Sequence, residues 1–191
     1  MDDFLTQNIT RIDLLSVPST HAIGHPWLSH QDLGQLSDLP DQQTSATVFL
    51  PNGDCFGSGI LDLRDPLAPW RRFSREPDVC FDASYIADAI QSALERRSDE
   101  ACQRLIHSDA DYLPGLIVEI YNDVLWIQAE NASVEAHLST IVEIFNEIVS
   151  PREIVIDGST DRRSAFDLDT SIRTASGQNL KGFWIEVDEL A

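Results

Sequence analysis

Between Leu116 and Tyr121 the chain alternates: Leu116, Val118 and Ile120 fall on one side, Ile117, Glu119 and Tyr121 on the other. Asn122-Asp123 interrupts the run, and Val124 to Ala129 alternates again, with Leu125 and Ile127 opposite Trp126 and Gln128. A period of two on both sides of a two-residue break predicts a β-hairpin closed by a tight turn. Its apolar face needs cover. From Ser133 to Val149 the apolar residues Val134, Leu138, Ile141, Phe145 and Ile148 recur at helical spacing, which predicts an amphipathic helix packed on the hairpin. Glu153 to Asp157 and Leu180 to Val187 read as two further strands. The second half is therefore strand, strand, helix, strand, strand, an α+β layer with a helix on one face of a sheet.

The first part of the chain has a different grammar. Thr47 to Leu50 is β-prone, Pro51-Asn52-Gly53-Asp54 is a tight-turn signal, and Cys55 to Ile60 returns as the partner strand. Gly53, Gly57 and Gly59 predict sharp bends in a small β-barrel. Glu76-Pro77-Asp78 marks a boundary, so the expected units are residues 1–77, a β-barrel, and 78–191, a helix followed by an α/β sandwich. The opening helix of the second unit spans Asp82 to Arg97, with Asp82 or Ser84 as its N-cap.

Charge narrows the function. The 191 residues carry 13 Lys and Arg against 32 Asp and Glu, a net charge of −19. Such a surface repels a phosphate backbone unless its few arginines cluster. The densest run is Trp70-Arg71-Arg72-Phe73 with Arg75, where cations lie beside rings that could stack on bases. Arg162-Arg163 is a weaker second patch. The N-terminal residues show no signal peptide, no apolar run approaches ~20 residues, and Cys55, Cys80 and Cys102 form no Cys-x-x-Cys. These features point to a cytoplasmic protein with reduced thiols and no membrane partner. Asn8-Ile9-Thr10 and Asn131-Ala132-Ser133 are then chance matches to a glycosylation pattern.

Two groups have the residue types of a metal site. His107, Asp109 and Asp111 would share one face of an extended segment, but they precede a Pro-Gly turn, where Asp commonly accepts backbone N–H bonds. His21, His25 and His30 are interrupted by Gly24 and Pro26 and cannot share a helix face. The structural reading is preferred for both, with no metal. No Gly-x-Ser-x-Gly, phosphate-binding loop or dinucleotide fingerprint occurs, so no catalytic residue and no small-molecule cofactor is assigned.

Several stretches together resemble one family, the bacterial 23S rRNA cytosine-C5 methyltransferases. They are Gly24-His25-Pro26-Trp27, Asn52-Gly53-Asp54 with Gly57-Ser58-Gly59, Arg72, and above all Arg104 to Gln128. Within the last, the family's ordered pattern falls on Arg104, Leu105, Asp109, Asp111, Leu113 to Val118 with Pro114-Gly115, Glu119, Tyr121, Asp123 and Gln128. The resemblance implies a PUA-like barrel, then a middle strand-strand-helix-strand-strand domain. A SAM-dependent Rossmann-like catalytic domain would follow, beyond Ala191. It implies structural roles for His25, Pro26, Trp27, Arg104, Asp109, Asp111, Pro114 and Gly115. The expectation drawn from it is a non-catalytic accessory module, not an enzyme, that docks on structured RNA or on a protein partner. RNA would be held weakly, through Arg71, Arg72 and Arg75 with Trp70 or Phe73. Three alternatives remain: an acidic protein-interaction module that lost RNA binding, a truncated part of a full-length rRNA methyltransferase, and a metal-dependent enzyme built on His107, Asp109 and Asp111.

Overall fold

The computed structural model describes residues 9–18, 24–34, 39–40 and 43–178. They form a mixed α+β chain of two compact units: residues 1–89 with 108–114, and residues 90–107 with 115–191. The sequence boundary after Pro77 differs from this division. The helix that follows it, α2 (Ala83–Leu94), contributes its first turns to the first unit, where Tyr85 Oη donates to Phe73 O (2.6 Å) and Tyr112 O (3.0 Å). Asp82 caps α2 by accepting from Tyr85 N at 2.9 Å.

The first unit holds a five-stranded sheet in the order β1-β3-β4-β5-β2. Its strands are β1 (Thr10–Asp13), β2 (Trp27–Leu28), β3 (Thr44–Phe49), β4 (Cys55–Leu61) and β5 (Trp70–Ser74). The predicted β3–β4 hairpin is present. Its turn closes through Leu50 N to Asp54 O and Gly53 N to Leu50 O, both 2.8 Å. The sheet is open: β1 and β2 lie at its edges, and no pairing closes it into a barrel among the described residues. One short helix, α1 (His30–Leu33), carries a capping box between Ser29 and Asp32. The core gathers Ile12, Leu28, Val48, Phe56, Leu61 and Trp70. Trp70 lies so close to β4 that a Cβ at Gly59 would overlap its ring and sit 2.7 Å from Arg71 O, so only glycine fits there.

The second unit holds a sheet in the order β10-β9-β8-β7-β6. Its strands are β6 (Cys102–His107), β7 (Leu116–Tyr121), β8 (Val124–Ala129), β9 (Glu153–Asp157) and β10 (Ile172–Thr174). The β7–β8 hairpin pairs Leu116 with Ala129 through Tyr121 with Val124. One face of the sheet carries Val118, Leu125, Ile127, Ile154 and Ile156, all buried. The predicted helix is two, α3 (Ala132–Ala136) and α4 (Leu138–Ile148), because the chain leaves helical geometry at His137. Leu138, Ile141 and Phe145 of α4 are buried as the spacing requires. Asn131 caps α3 by accepting from Val134 N at 2.9 Å, and its side chain fills the space beside Gly115. Two strands, β6 and β10, go beyond the pattern expected from the sequence, and the expected strand at Leu180 to Val187 lies outside the described residues.

Gly59→Ala forces the new methyl against the Trp70 ring. The expected cost is about 1–3 kcal/mol in urea unfolding. Unchanged stability would mean that β4 and Trp70 are not in this contact.

Candidate nucleic-acid interface

The residues that sequence reasoning grouped as one basic and aromatic run have separate fates. Trp70 is fully buried; its Nε1 donates to Ala46 O at 3.1 Å and its ring lies 5.5 Å from that of Phe56. Phe73 is 1% exposed and packs on Phe81 and Tyr85 at 5.2 and 4.8 Å. Neither ring can reach a base. A register shift between Ser58 and Gly59 in the β4–β5 pairing, at Phe73, breaks the in–out alternation that the run suggests.

Arg71 is 4% exposed and turned inward. Its Nη2 donates to Asp109 Oδ2, its Nε to Asp109 Oδ1 (3.2 Å), and its Nη2 also to Ser108 Oγ (3.2 Å). Trp27 Nε1 donates to the same Asp109 at 3.0 Å, and the Arg71 guanidinium lies 5.0 Å from the Trp27 ring centre. His25 meets Trp27 edge-on at 5.0 Å, and its Nδ1 accepts from Trp27 N. Pro26 O accepts from Arg72 N at 2.7 Å. The His-Pro-Trp turn and the 108–114 segment are thus tied together within the first unit by one buried ion pair. Asp109 is occupied by this network and Asp111 is buried in a 3-10 turn, Ser108–Asp111. No three His, Cys, Asp or Glu residues are grouped to hold a metal ion among the described residues, and His21 lies outside them.

What remains exposed is a smaller patch. Arg72 donates to Phe56 O (3.0 Å) and Gly24 O (3.2 Å) and lies over the Phe56 ring at 4.8 Å. Burial, then the neighbouring Arg75 cation, hold its pKa below the ordinary value, while Tyr112 and Cys55 act in the opposite sense. Arg75 and Tyr112 are therefore within electrostatic reach of Arg72. Arg75 is exposed, and Tyr112 is 48% exposed on a backbone with φ +60°, a conformation that bulky residues rarely adopt. By contrast, Arg11, Arg64, Arg104, Arg152, Arg163 and Arg173 are each ion-paired with a carboxylate. Among the described residues Arg72 and Arg75 have no carboxylate partner. Sequence reasoning missed Tyr112; the available signal was a tyrosine between a turn aspartate and Leu-Pro-Gly, where an outward ring has no hairpin partner.

The opposite face of the second unit's sheet carries a second group of side chains among the described residues. Glu119, Trp126 and Val155 share it by register, with Ile172 and Thr174 at its β10 end. Arg104 is paired with Glu119 there at 2.7 Å. Asp157 works on the same face: Oδ2 accepts from Trp126 Nε1 (3.0 Å) and Gln128 Nε2 (2.9 Å), Oδ1 from Ser159 N (2.8 Å) and Ser159 Oγ (2.6 Å). Burial acts to raise the Asp157 pKa, but these four donors outweigh it and hold it at about 2.

No protein-family model matches the chain. Its sequence is similar to that of ribosomal RNA large subunit methyltransferase I from Alteromonas mediterranea, 22% identical over 160 residues, covering 81% of this chain and 40% of the relative. The protein of the same name from Shewanella denitrificans is 27% identical over 126 residues, 62% of this chain and 32% of the relative. The fold is similar to that of a Streptococcus mutans protein described as a SAM-dependent methyltransferase, with a TM-score of 0.63 and 17% identity, covering 78% of this chain and 40% of that one. A structure described as a methyltransferase complexed with SAH gives 0.62 and 18%, with the same coverage. The chain spans two fifths or less of the length of these relatives. They correct two expectations, that the chain is a non-catalytic accessory module and that it is not an enzyme: the proteins it is similar to, in sequence and in fold, are methyltransferases.

Two outcomes test the geometry. Asp109→Ala leaves Arg71 buried without its anion and is expected to cost about 3 kcal/mol or more, whereas Arg71→Met with Asp109→Leu costs much less. Equal losses in thermal unfolding would deny the pair. Asp157, with its folded pKa depressed, contributes stability at pH above the unfolded value near 4, and loses it as pH falls toward about 2. Asp157→Asn should therefore flatten the acid limb by about 2 kcal/mol; an unchanged limb would place the loss elsewhere.

Proposed function

We propose that this chain works in SAM-dependent methylation of large-subunit ribosomal RNA, as the RNA-engaging part of the enzyme. The observation that carries this reading is the sequence similarity along 81% of the chain to ribosomal RNA large subunit methyltransferase I. In finer terms, the first unit is PUA-like, the second is the strand-strand-helix-strand-strand middle domain, and the substrate base is a cytosine methylated at C5. An rRNA substrate places the protein in the cytoplasm, and no helix among the described residues is long and apolar enough to cross a membrane.

The methyl donor does not fit the described residues. The turns that lead from a strand into an α-helix, at Ser29, residues 75–82 and residues 130–131, contain no glycine, so none offers a cradle in which backbone N–H groups approach a nucleotide closely. These residues supply binding instead. Arg72 and Arg75 meet phosphates, and Tyr112 offers its exposed ring to an unpaired base. Arg71 serves by holding the 108–114 segment, through Asp109, where Tyr112 emerges.

Binding of a large-subunit rRNA fragment at two salt concentrations tests this. Wild type binds weakly. Removing two phosphate contacts in an Arg72→Ala/Arg75→Ala variant lowers the salt slope by about 1.4. Tyr112→Ala lowers affinity by about 1–3 kcal/mol with no change of slope. Unchanged binding by all variants would remove this surface, and no binding by wild type at low salt would remove the RNA reading.

A further inference from the structure

The face of the second unit that carries Trp126 holds a cavity of about 370 Å³ that the Arg72, Arg75 and Tyr112 surface does not use. Trp126 and Val155 form its floor, with Ile172, Thr174 and the turn residues Gly177 and Gln178 around them. Register explains the row: Trp126 pairs with Val155, and Val155 with Thr174, so three neighbouring strands point one side chain each the same way. Ile172 lies two residues away on the same side and is 56% exposed.

Three properties define what fits. The Trp126 ring is fixed before any ligand arrives, because its Nε1 is held by Asp157, whose oxygens are occupied by four donors. Little ordering is left for binding to impose. The lining also offers no free charge. Arg173 borders the cavity, but its guanidinium is engaged by Asp169 at 3.3 Å and Glu135 at 3.4 Å. A phosphate would find no cation here and would face a chain of net charge −19. Finally, the volume lies at the low end for ligand sites, enough for one planar ring system and its sugar but not for a peptide helix. The polar lining includes Thr174, whose Oγ1 donates to Gln178 O, and Gln178, whose side-chain amide has no partner among the described residues.

We propose that this cavity binds one unpaired, uncharged nucleobase, stacked on Trp126 and hydrogen-bonded at its edge by Gln178. The source of that base, a single-stranded stretch of the RNA substrate, rests on the function proposed above; the neutral, aromatic character of the site does not. The cavity would hold one nucleotide of the strand by stacking, with no phosphate contact of its own.

The test follows the indole N–H resonances of the whole chain by NMR, with the Trp126 signal identified by its loss in Trp126→Phe. The probes are adenosine, cytidine and hexauridylate. All three should move the Trp126 resonance and leave that of Trp70, which is buried and bonded to Ala46 O, in place. Ile172→Glu, at the exposed rim, should abolish the shift with the remaining spectrum native. Trp126→Ala should weaken binding of a single-stranded RNA roughly 5- to 150-fold. A Trp126 signal unmoved by saturating probe, or a shift that survives Ile172→Glu, would overturn the proposal. If rRNA fragments bind while Trp126 stays still, the cavity proposal falls and the rRNA function stands. If nucleosides move Trp126 but no RNA binds at low salt, the cavity accepts nucleosides, its assignment to an RNA base is overturned, and the rRNA function falls with it.

Discussion

One buried ion pair, Arg71 with Asp109, sets the surface of the first unit. Burying two charges is costly unless each is paired and hydrogen-bonded, and here Asp109 also accepts the Trp27 indole N–H while Arg71 also reaches Ser108. The pair fixes two things at once. It turns Arg71 inward on β5, so its neighbour Arg72 faces outward, with its guanidinium over the Phe56 ring. It also anchors the 108–114 segment, whose backbone then carries Tyr112 outward at positive φ, with Tyr112 O held by Tyr85. The strain at Tyr112 persists because bonds on both sides of it over-determine the backbone.

The net charge of −19 decides how such a protein can meet RNA. Long-range steering is unfavourable, so contacts must be local, and most arginines are unavailable because carboxylates already neutralise them. With only Arg72 and Arg75 of the proposed surface lacking a carboxylate partner among the described residues, stacking would be the main source of affinity. Stacking needs rings that are exposed yet rigid. Tyr112 obtains rigidity from a strained, anchored backbone, and Trp126 from the carboxylate of Asp157, which stays ionised well below neutral pH.

Local patterns made much of the fold legible. The Leu116–Ala129 hairpin, the Asn-Gly turn, the Asp82 cap and the α4 stripe all depend on neighbours within a few residues, and all are present. The arginine and aromatic run was misleading because burial there is decided at long range. Asp109, 38 residues away, draws Arg71 inward. Gly59 makes room for Trp70, and a bulge rotates Phe73 toward Phe81. The break at His137 leaves no mark in the sequence because apolar spacing continues through it, and β10 leaves none because three residues are too few to show alternation. The Asp-rich turn before Leu-Pro-Gly carries no local sign of its partner, Arg71, which belongs to the run that the sequence offers to RNA.

The proposed part of this chain in rRNA methylation runs through an outward face of Arg72, Arg75 and Tyr112. The most direct measurement is mass mapping of methylated nucleotides in large-subunit rRNA from cells lacking the gene for this chain. One methylated cytosine should be missing, restored by the wild-type gene and not by the Arg72→Ala/Arg75→Ala/Tyr112→Ala gene at equal protein level. Complete methylation in the deleted strain, or full restoration by the triple variant, would contradict it.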